Sequence, residues 1–195
     1  MALHVILEEL GLDFETQKIE LSKGEHKQPE FLKINPRGQV AAMEIDGEYY
    51  SENAAMIIYL NDKYGGSIIP EEGPARLRAL QWLMFVNSGL HGAYSKFIFV
   101  KRNGGDESLL TAAQNNVQAQ WDEIERHLNE TGQAFLAGDA VTAADIYTAV
   151  VANWGFINEM PNFGPKTKAL LQSVSARPTY QKVLVAEDVE YKAAA

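Results

Sequence analysis

A small α/β domain followed by an all-helical one is the fold class that this sequence predicts, on three observations. Over the first 66 residues the apolar pattern changes period repeatedly, reading helix, strand, helix, strand, strand, helix. Pro70 and Pro74 then flank Glu71-Glu72-Gly73, and every periodic segment beyond them has helical spacing. The composition, 46% hydrophobic and 22% charged over 195 residues, is that of a folded chain with a substantial core. The chain accordingly divides into a domain at 1–66, a linker at 67–74 and a helical domain at 75–195.

Taken in order, Leu3, Ile6, Leu7 and Leu10 form one buried stripe of a first helix, which Gly11 stops. Phe14 to Leu21, with Thr16 and Ile19, is expected to be a strand. The polar run Ser22 to Gln28 is a loop, and Pro29 starts a short helix where its missing N–H costs little. After the turn Asn35-Pro36-Arg37-Gly38, Gln39–Ile45 and Glu48–Ser51 read as strands joined through Asp46-Gly47. A helix follows from Glu52 to the region of Tyr64-Gly65-Gly66. The helical domain holds a long segment from Ala75 to about Lys101, and others from Ser108 to Glu130, from Thr142 to before Pro161 and from Lys166 to Ser175. A last turn or short helix after Arg177-Pro178 precedes the Ala193-Ala194-Ala195 tail.

Charge and composition exclude several chemistries. With 17 Lys+Arg against 26 Asp+Glu the net charge is −9, and no basic stripe would hold a phosphate backbone, so no nucleic-acid partner is expected. No apolar run approaches a bilayer-spanning length and the start lacks a signal-peptide pattern, so no membrane is expected and the cytoplasm is the expected location. The absence of cysteine removes disulfides and a cysteine nucleophile, and the four histidines lack metal-ligand spacing.

Four segments could carry chemistry. Thr142-Ala143-Ala144-Asp145 is a capping sequence, in which the Thr side chain is expected to accept from the Asp145 amide while the carboxylate reaches back to the Thr142 N–H. Glu52-Asn53 sits at a strand-to-helix junction, where free N–H groups could cradle a ligand carboxylate and Glu52 could take an ammonium; ordinary dipole compensation explains the same residues. His26-Lys27 could hold a second carboxylate or belong to a solvated loop. On the long helix, the core stripe of Leu80, Leu83 and Met84 turns polar at Ser88, His91 and Ser95, the mark of a wet cleft. His91 there is either a donor to a substrate or a satisfied core histidine.

Together these segments resemble a cytosolic glutathione transferase of bacterial type, with some features of a plant class in the His26-Lys27 loop. The resemblance rests on Gly24 to Leu32, on Ile34-Asn35-Pro36-Arg37-Gly38-Gln39-Val40, on Glu52-Asn53, on Phe135-Leu136-Ala137-Gly138-Asp139 with Thr142 to Ile146, and on Ala176-Arg177-Pro178. It implies a thioredoxin-like domain, a helical domain, a homodimer, glutathione as cosubstrate without a metal, and detoxification of small electrophilic or hydrophobic substrates. On that likeness Val40 pairs its backbone with the cysteinyl part of glutathione. Glu52 and Asn53 hold the γ-glutamyl end, and His26, Lys27 and Gln39 lie toward the glycyl carboxylate. His91 faces the substrate.

The chain departs from the family in three places. Ala41 stands where the family has a cis-proline, so the Val40–Ala41 bond is either trans or held cis. Asn53 replaces a Ser or Thr. The family's first strand and the turn carrying its thiolate-stabilising Ser, Cys or Tyr are expected to be absent, because the sequence opens at the helix that follows them; either a native upstream segment supplies them or another segment fills the gap. No catalytic residue is identifiable, His91 apart. The expected activity is conjugation of the glutathione thiol to electrophiles, or their reduction by it. The alternative is a non-catalytic, dimeric glutathione- or ligand-binding module. Met84, Phe85 and Phe97 are the apolar residues expected to be exposed at the dimer contact.

Overall fold

Helix α1 (Ala2–Glu9) opens the fold in the computed structural model, which describes residues 1–157 and 161–193. Leu3 and Ile6 are buried as their spacing requires, and Leu7 and Leu10 pack against the core from its edge. The helix ends in a paired C-terminal turn: Gly11, at φ +64°, donates its N–H to Glu8, and Leu12 donates to Leu7. The expected strand at 14–21 does not form. A strand needs a neighbour for its N–H and C=O groups. Among the described residues the sheet has only β1 (Ala42–Ile45) and β2 (Glu48–Ser51), antiparallel from Ala42↔Ser51 to Ile45↔Glu48. No described segment fills the place of another strand.

The rest of the first region is set by turns. The expected loop at 22–28 winds into two short 3₁₀ turns, Leu21–Lys23 and Glu25–Lys27, before α2 (Pro29–Ile34). The expected strand from Gln39 begins only at Ala42, and the Val40–Ala41 bond just before it is cis. Asp46 and Gly47 both have positive φ, the requirement of a two-residue hairpin whose twist matches its strands. Helix α3 (Asn53–Tyr64) follows at once. Its buried Asn61 fixes the linker, donating from Nδ2 to the Ile69 carbonyl and accepting the Ile69 N–H on Oδ1.

Beyond the linker come α4 (Gly73–Met84), α5 (His91–Arg102), α6 (Glu107–Thr131), α7 (Ala143–Ile157), α8 (Pro165–Ser175) and α9 (Pro178–Glu187). The single long helix expected from Ala75 is interrupted by a π turn at Phe85–Leu90, which offsets α5 from α4. Phe97 is buried at 1% exposure, not surface as expected, because it faces α6 and the core; Met84 is exposed and Phe85 half-buried against Trp82. Helix α7 lies at the centre, packed on α1, α4 and α8, and is buried around nearly its whole circumference from Ala143 to Asn153. Residues 158–160, before the expected stop at Pro161, and 194–195 of the expected tail lie outside the described residues. No described helix is long and apolar enough to cross a membrane.

The start of α7 corrects the expected cap in one respect. The Asp145 carboxylate does accept the Thr142 N–H, but the Thr142 hydroxyl donates to that carboxylate instead of accepting an amide. Asp145 also takes the Leu136 N–H, and the Ile68 carbonyl in the linker takes the N–H of Ala143. The linker therefore helps to cap the central helix.

Candidate functional site

The site grows from the end of the hairpin. Pairing of Ala42 with Ser51 ends the ladder with Ala41 and Val40 on one side and Glu52 and Asn53 on the other. Val40 is 44% exposed there. Glu52 has φ +76°, a left-handed backbone that costs a non-glycine residue free energy and that recurs where function requires it. The tight passage from β2 into α3 forces this conformation and points the Glu52 side chain outward. Its carboxylate meets the Arg37 guanidinium at 2.7 Å, and Arg37 also donates to the Ser51 hydroxyl at 2.9 Å. Both charged side chains are about half-exposed.

On the other flank, His26 and Lys27 form one continuous wall with the 35–39 turn. The Lys27 ammonium donates to the carbonyls of Gly38 at 2.8 Å and Arg37 at 3.2 Å. Gly38 has φ +59°, and a Cβ there would stand 2.7 Å from the His26 carbonyl oxygen, so only glycine lets the two loops close together. His26 Nδ1 is buried without a partner. The exposed Gln39 is fixed through its backbone, its carbonyl accepting the Asn35 side-chain amide at 2.7 Å.

The third wall comes from the helices. Asn53 Nδ2 donates to the Tyr147 hydroxyl on α7 at 3.2 Å, and Asn53 Oδ1 is buried without a partner. The Tyr147 ring lies 6.0 Å from the His91 ring, which lies 4.9 Å from Trp154. Burial lowers the His91 pKa and outweighs the raising effect of Glu52, so the imidazole is neutral at neutral pH. Burial likewise raises the Tyr147 pKa and keeps the phenol protonated. The polar stripe is less of a cleft than its spacing implies. Ser88 and Ser95 are exposed and donate their hydroxyls back to the carbonyls of Met84 and His91 on their own helix.

All seven sequence-predicted residues thus lie along one connected path. Lys27 touches the backbone of Arg37, Arg37 reaches Glu52, and Asn53 leads through Tyr147 to His91. Three members were not foreseen: Arg37, Tyr147 and Trp154. Arg37 offered only its place in a turn. Tyr147 and Trp154 did leave a signal, standing seven residues apart and so on one face of α7. Among the described residues no group of His, Asp and Glu could hold a metal ion.

Comparisons with known proteins show the family of the chain as a whole. Residues 1–63 match the model of the glutathione S-transferase N-terminal domain, and residues 89–178 that of the C-terminal domain. Glutathione S-transferase 3 of Zea mays is 30% identical, over 93% of this chain and 86% of the maize protein. A glutathione transferase structure from Methylococcus capsulatus superposes with a TM-score of 0.85 at 30% identity, covering 96% of this chain and 93% of that one. A sphingomonad glutathione S-transferase complexed with glutathione gives 0.83 at 28% identity, with 97% and 94% covered.

Proposed function

The chain belongs to the glutathione transferase family, with a thioredoxin-like N-terminal domain and a helical C-terminal domain, and from that premise we propose that it is a working transferase whose glutathione lies along the edge from Val40 to Asn53. The observation that carries this reading is the left-handed Glu52 beside Asn53, which places an anionic acceptor and the free N–H groups of α3 at one point. The γ-glutamyl head group, with an ammonium and a carboxylate on one carbon, needs both. His26, Lys27 and Gln39 then border the glycyl end. The sulfur faces the helices, where His91, Tyr147 and Trp154 offer an electrophile an aromatic wall. The thiol loses its proton, the sulfur bonds to an electrophilic carbon, and the leaving group departs with the electron pair.

A non-catalytic glutathione-binding module is the second reading, and the packing of His91 against the Tyr147 and Trp154 rings, where burial lowers its pKa, favours it. Burial disfavours the imidazolium, so His91 offers a thiolate at most an N–H donor and no full positive charge. Calorimetric titration with glutathione, followed by turnover of an aryl halide, separates the two. Binding with turnover supports the transferase, binding without turnover supports the module, and no binding removes both. Residues 1–66 would form the glutathione-binding unit and 75–195 the substrate wall. The protein would act in the cytoplasm as a homodimer, joined through exposed apolar residues such as Leu77 and Met84. Light scattering should then give twice the 21.6 kDa chain mass.

A further inference from the structure

Arg37 is held by its backbone, and its side chain is left able to move. Its N–H donates to the Asn35 side-chain oxygen at 3.2 Å, and its carbonyl accepts from the Lys27 ammonium at 3.2 Å. The half-exposed side chain reaches across to the end of the hairpin. There Nη2 meets the Glu52 carboxylate at 2.7 Å and donates to the Ser51 hydroxyl at 2.9 Å. Glu52 is the N-cap of α3, yet its side chain makes no capping bond, and among the described residues Arg37 is its one ion-pair partner. The pair is open to water on both sides, so its attraction is screened and either partner can be replaced. The carboxylate still acts on the cleft: burial lowers the His91 pKa, and Glu52 raises it.

We propose that Arg37 is a specificity-determining residue: its guanidinium is the counter-ion of Glu52 in the ligand-free protein, and an incoming ammonium group must displace it. This rests on the glutathione reading above, in which Glu52 takes the γ-glutamyl ammonium. Guanidinium and ammonium are both single positive charges that donate to carboxylate oxygens. Were each to take its own oxygen, two like charges side by side would still repel, so the ligand gains Glu52 only as far as Arg37 yields it. The exchange requires no backbone movement. Asn35 and Lys27 keep the turn in place, and the displaced guanidinium retains the Ser51 hydroxyl. A ligand without an ammonium leaves the Arg37–Glu52 pair intact. Arg37 therefore narrows the preference for ammonium-bearing ligands that Glu52 alone would impose.

The test compares glutathione with glutaryl-cysteinyl-glycine, which lacks only the ammonium, by calorimetry on wild type, Arg37→Met, Glu52→Gln and the double variant. Arg37→Met keeps an unbranched stem and both backbone contacts and removes the charge. Glutathione should bind ~3-fold more tightly to Arg37→Met than to wild type, the scale of one screened ion pair withdrawn from competition, and the deaminated ligand no more tightly. In the Glu52→Gln background the same substitution should change neither affinity. Weaker glutathione binding to Arg37→Met would make Arg37 a brace or a direct ligand contact, and an equal gain for both ligands would make its effect independent of the ammonium; either result overturns the proposal. A second measurement needs no variant to fold. In wild type, the nitrogen NMR signal of the Arg37 side chain should shift when glutathione is added and stay in place with the deaminated ligand. A signal that moves alike with both, or with neither, also overturns the proposal. Wild type that binds neither ligand would bring down the glutathione reading itself, an outcome distinct from binding without an Arg37 response.

Discussion

Lys27 and Glu52 show how a single residue's surroundings revise what its charge implies. As sequence, Lys27 is a cation for a ligand carboxylate, but its ammonium is occupied by the carbonyls of Arg37 and Gly38 and so braces the turn that presents Gln39 and Val40. Glu52 reads in the sequence as an acceptor for an ammonium; its side chain is half-exposed and already faces Arg37. Coulomb attraction at such a site is screened by salt, whereas a brace made of hydrogen bonds to carbonyls is not. Glu52→Gln should therefore weaken glutathione binding ~10-fold at low ionic strength and distinctly less at high salt. Lys27→Met should weaken it ~3-fold at both, through a loosened turn. Calorimetry at two salt concentrations checks the pair, and a salt-dependent Lys27 effect would show that its charge meets the ligand directly. Glu52 and Asn53 were legible in the sequence because a strand-to-helix junction is local. Arg37 and Tyr147 were not, since each acts through a contact 14 and 94 residues away.

At the scale of elements, what could be read was whatever depends on near neighbours. The capping sequence at Thr142 was visible because its residues lie three apart, and the hairpin because Asp46-Gly47 supplies two positive φ angles. The failures have the opposite cause. Residues 14–21 favour a strand locally but have no described neighbour to pair with, and the π turn at 85–90 changes the helix register with no proline to announce it and only Ser88-Gly89 as a local break. The cap also permits a quantitative expectation. Asp145 is fully buried; burial pushes its carboxyl up, while the donors from Leu136 and Thr142 oppose that. Asp145→Ala would strand the N–H groups of Leu136 and Thr142 at the base of the central helix, a loss of ~3 kcal/mol. For a chain of this size that corresponds to a melting temperature lower by about 6–12 °C. Thr142→Ala removes only the hydroxyl and should cost ~1 kcal/mol. Calorimetric melting of both variants gives the comparison, and near-equal losses would mean that the carboxylate does not hold the Leu136 loop.

Across the whole molecule, the two ends of the chain are joined by Glu9 of α1. Its carboxylate accepts two hydrogen bonds from Arg177, at 2.8 and 2.5 Å, and a third from the Thr179 hydroxyl. Arg177 belongs to the Ala176-Arg177-Pro178 run that carried part of the family resemblance, yet nothing in the sequence pointed to a partner 168 residues earlier. The Glu9 side chain is 7% exposed, so breaking this clasp leaves a buried carboxylate on α1 unpaired, whereas Arg177, 36% exposed, can turn to solvent. Burial alone would raise the Glu9 pKa, but Arg177 and Thr179 more than offset it and hold the carboxyl below its ordinary value. The unfolded chain therefore takes up this proton first as pH falls. Stability from the clasp is complete above the ordinary carboxylate range and is lost as pH drops through the lowered folded value. Glu9→Gln cannot titrate, so its deficit relative to wild type should be ~1.5–3 kcal/mol at neutral pH and should close in acid. Urea unfolding of both proteins between about pH 7 and about pH 3 reads the gap directly. A deficit that stays constant over that range would show that Glu9 holds the ends together by shape and packing, with its charge playing no part.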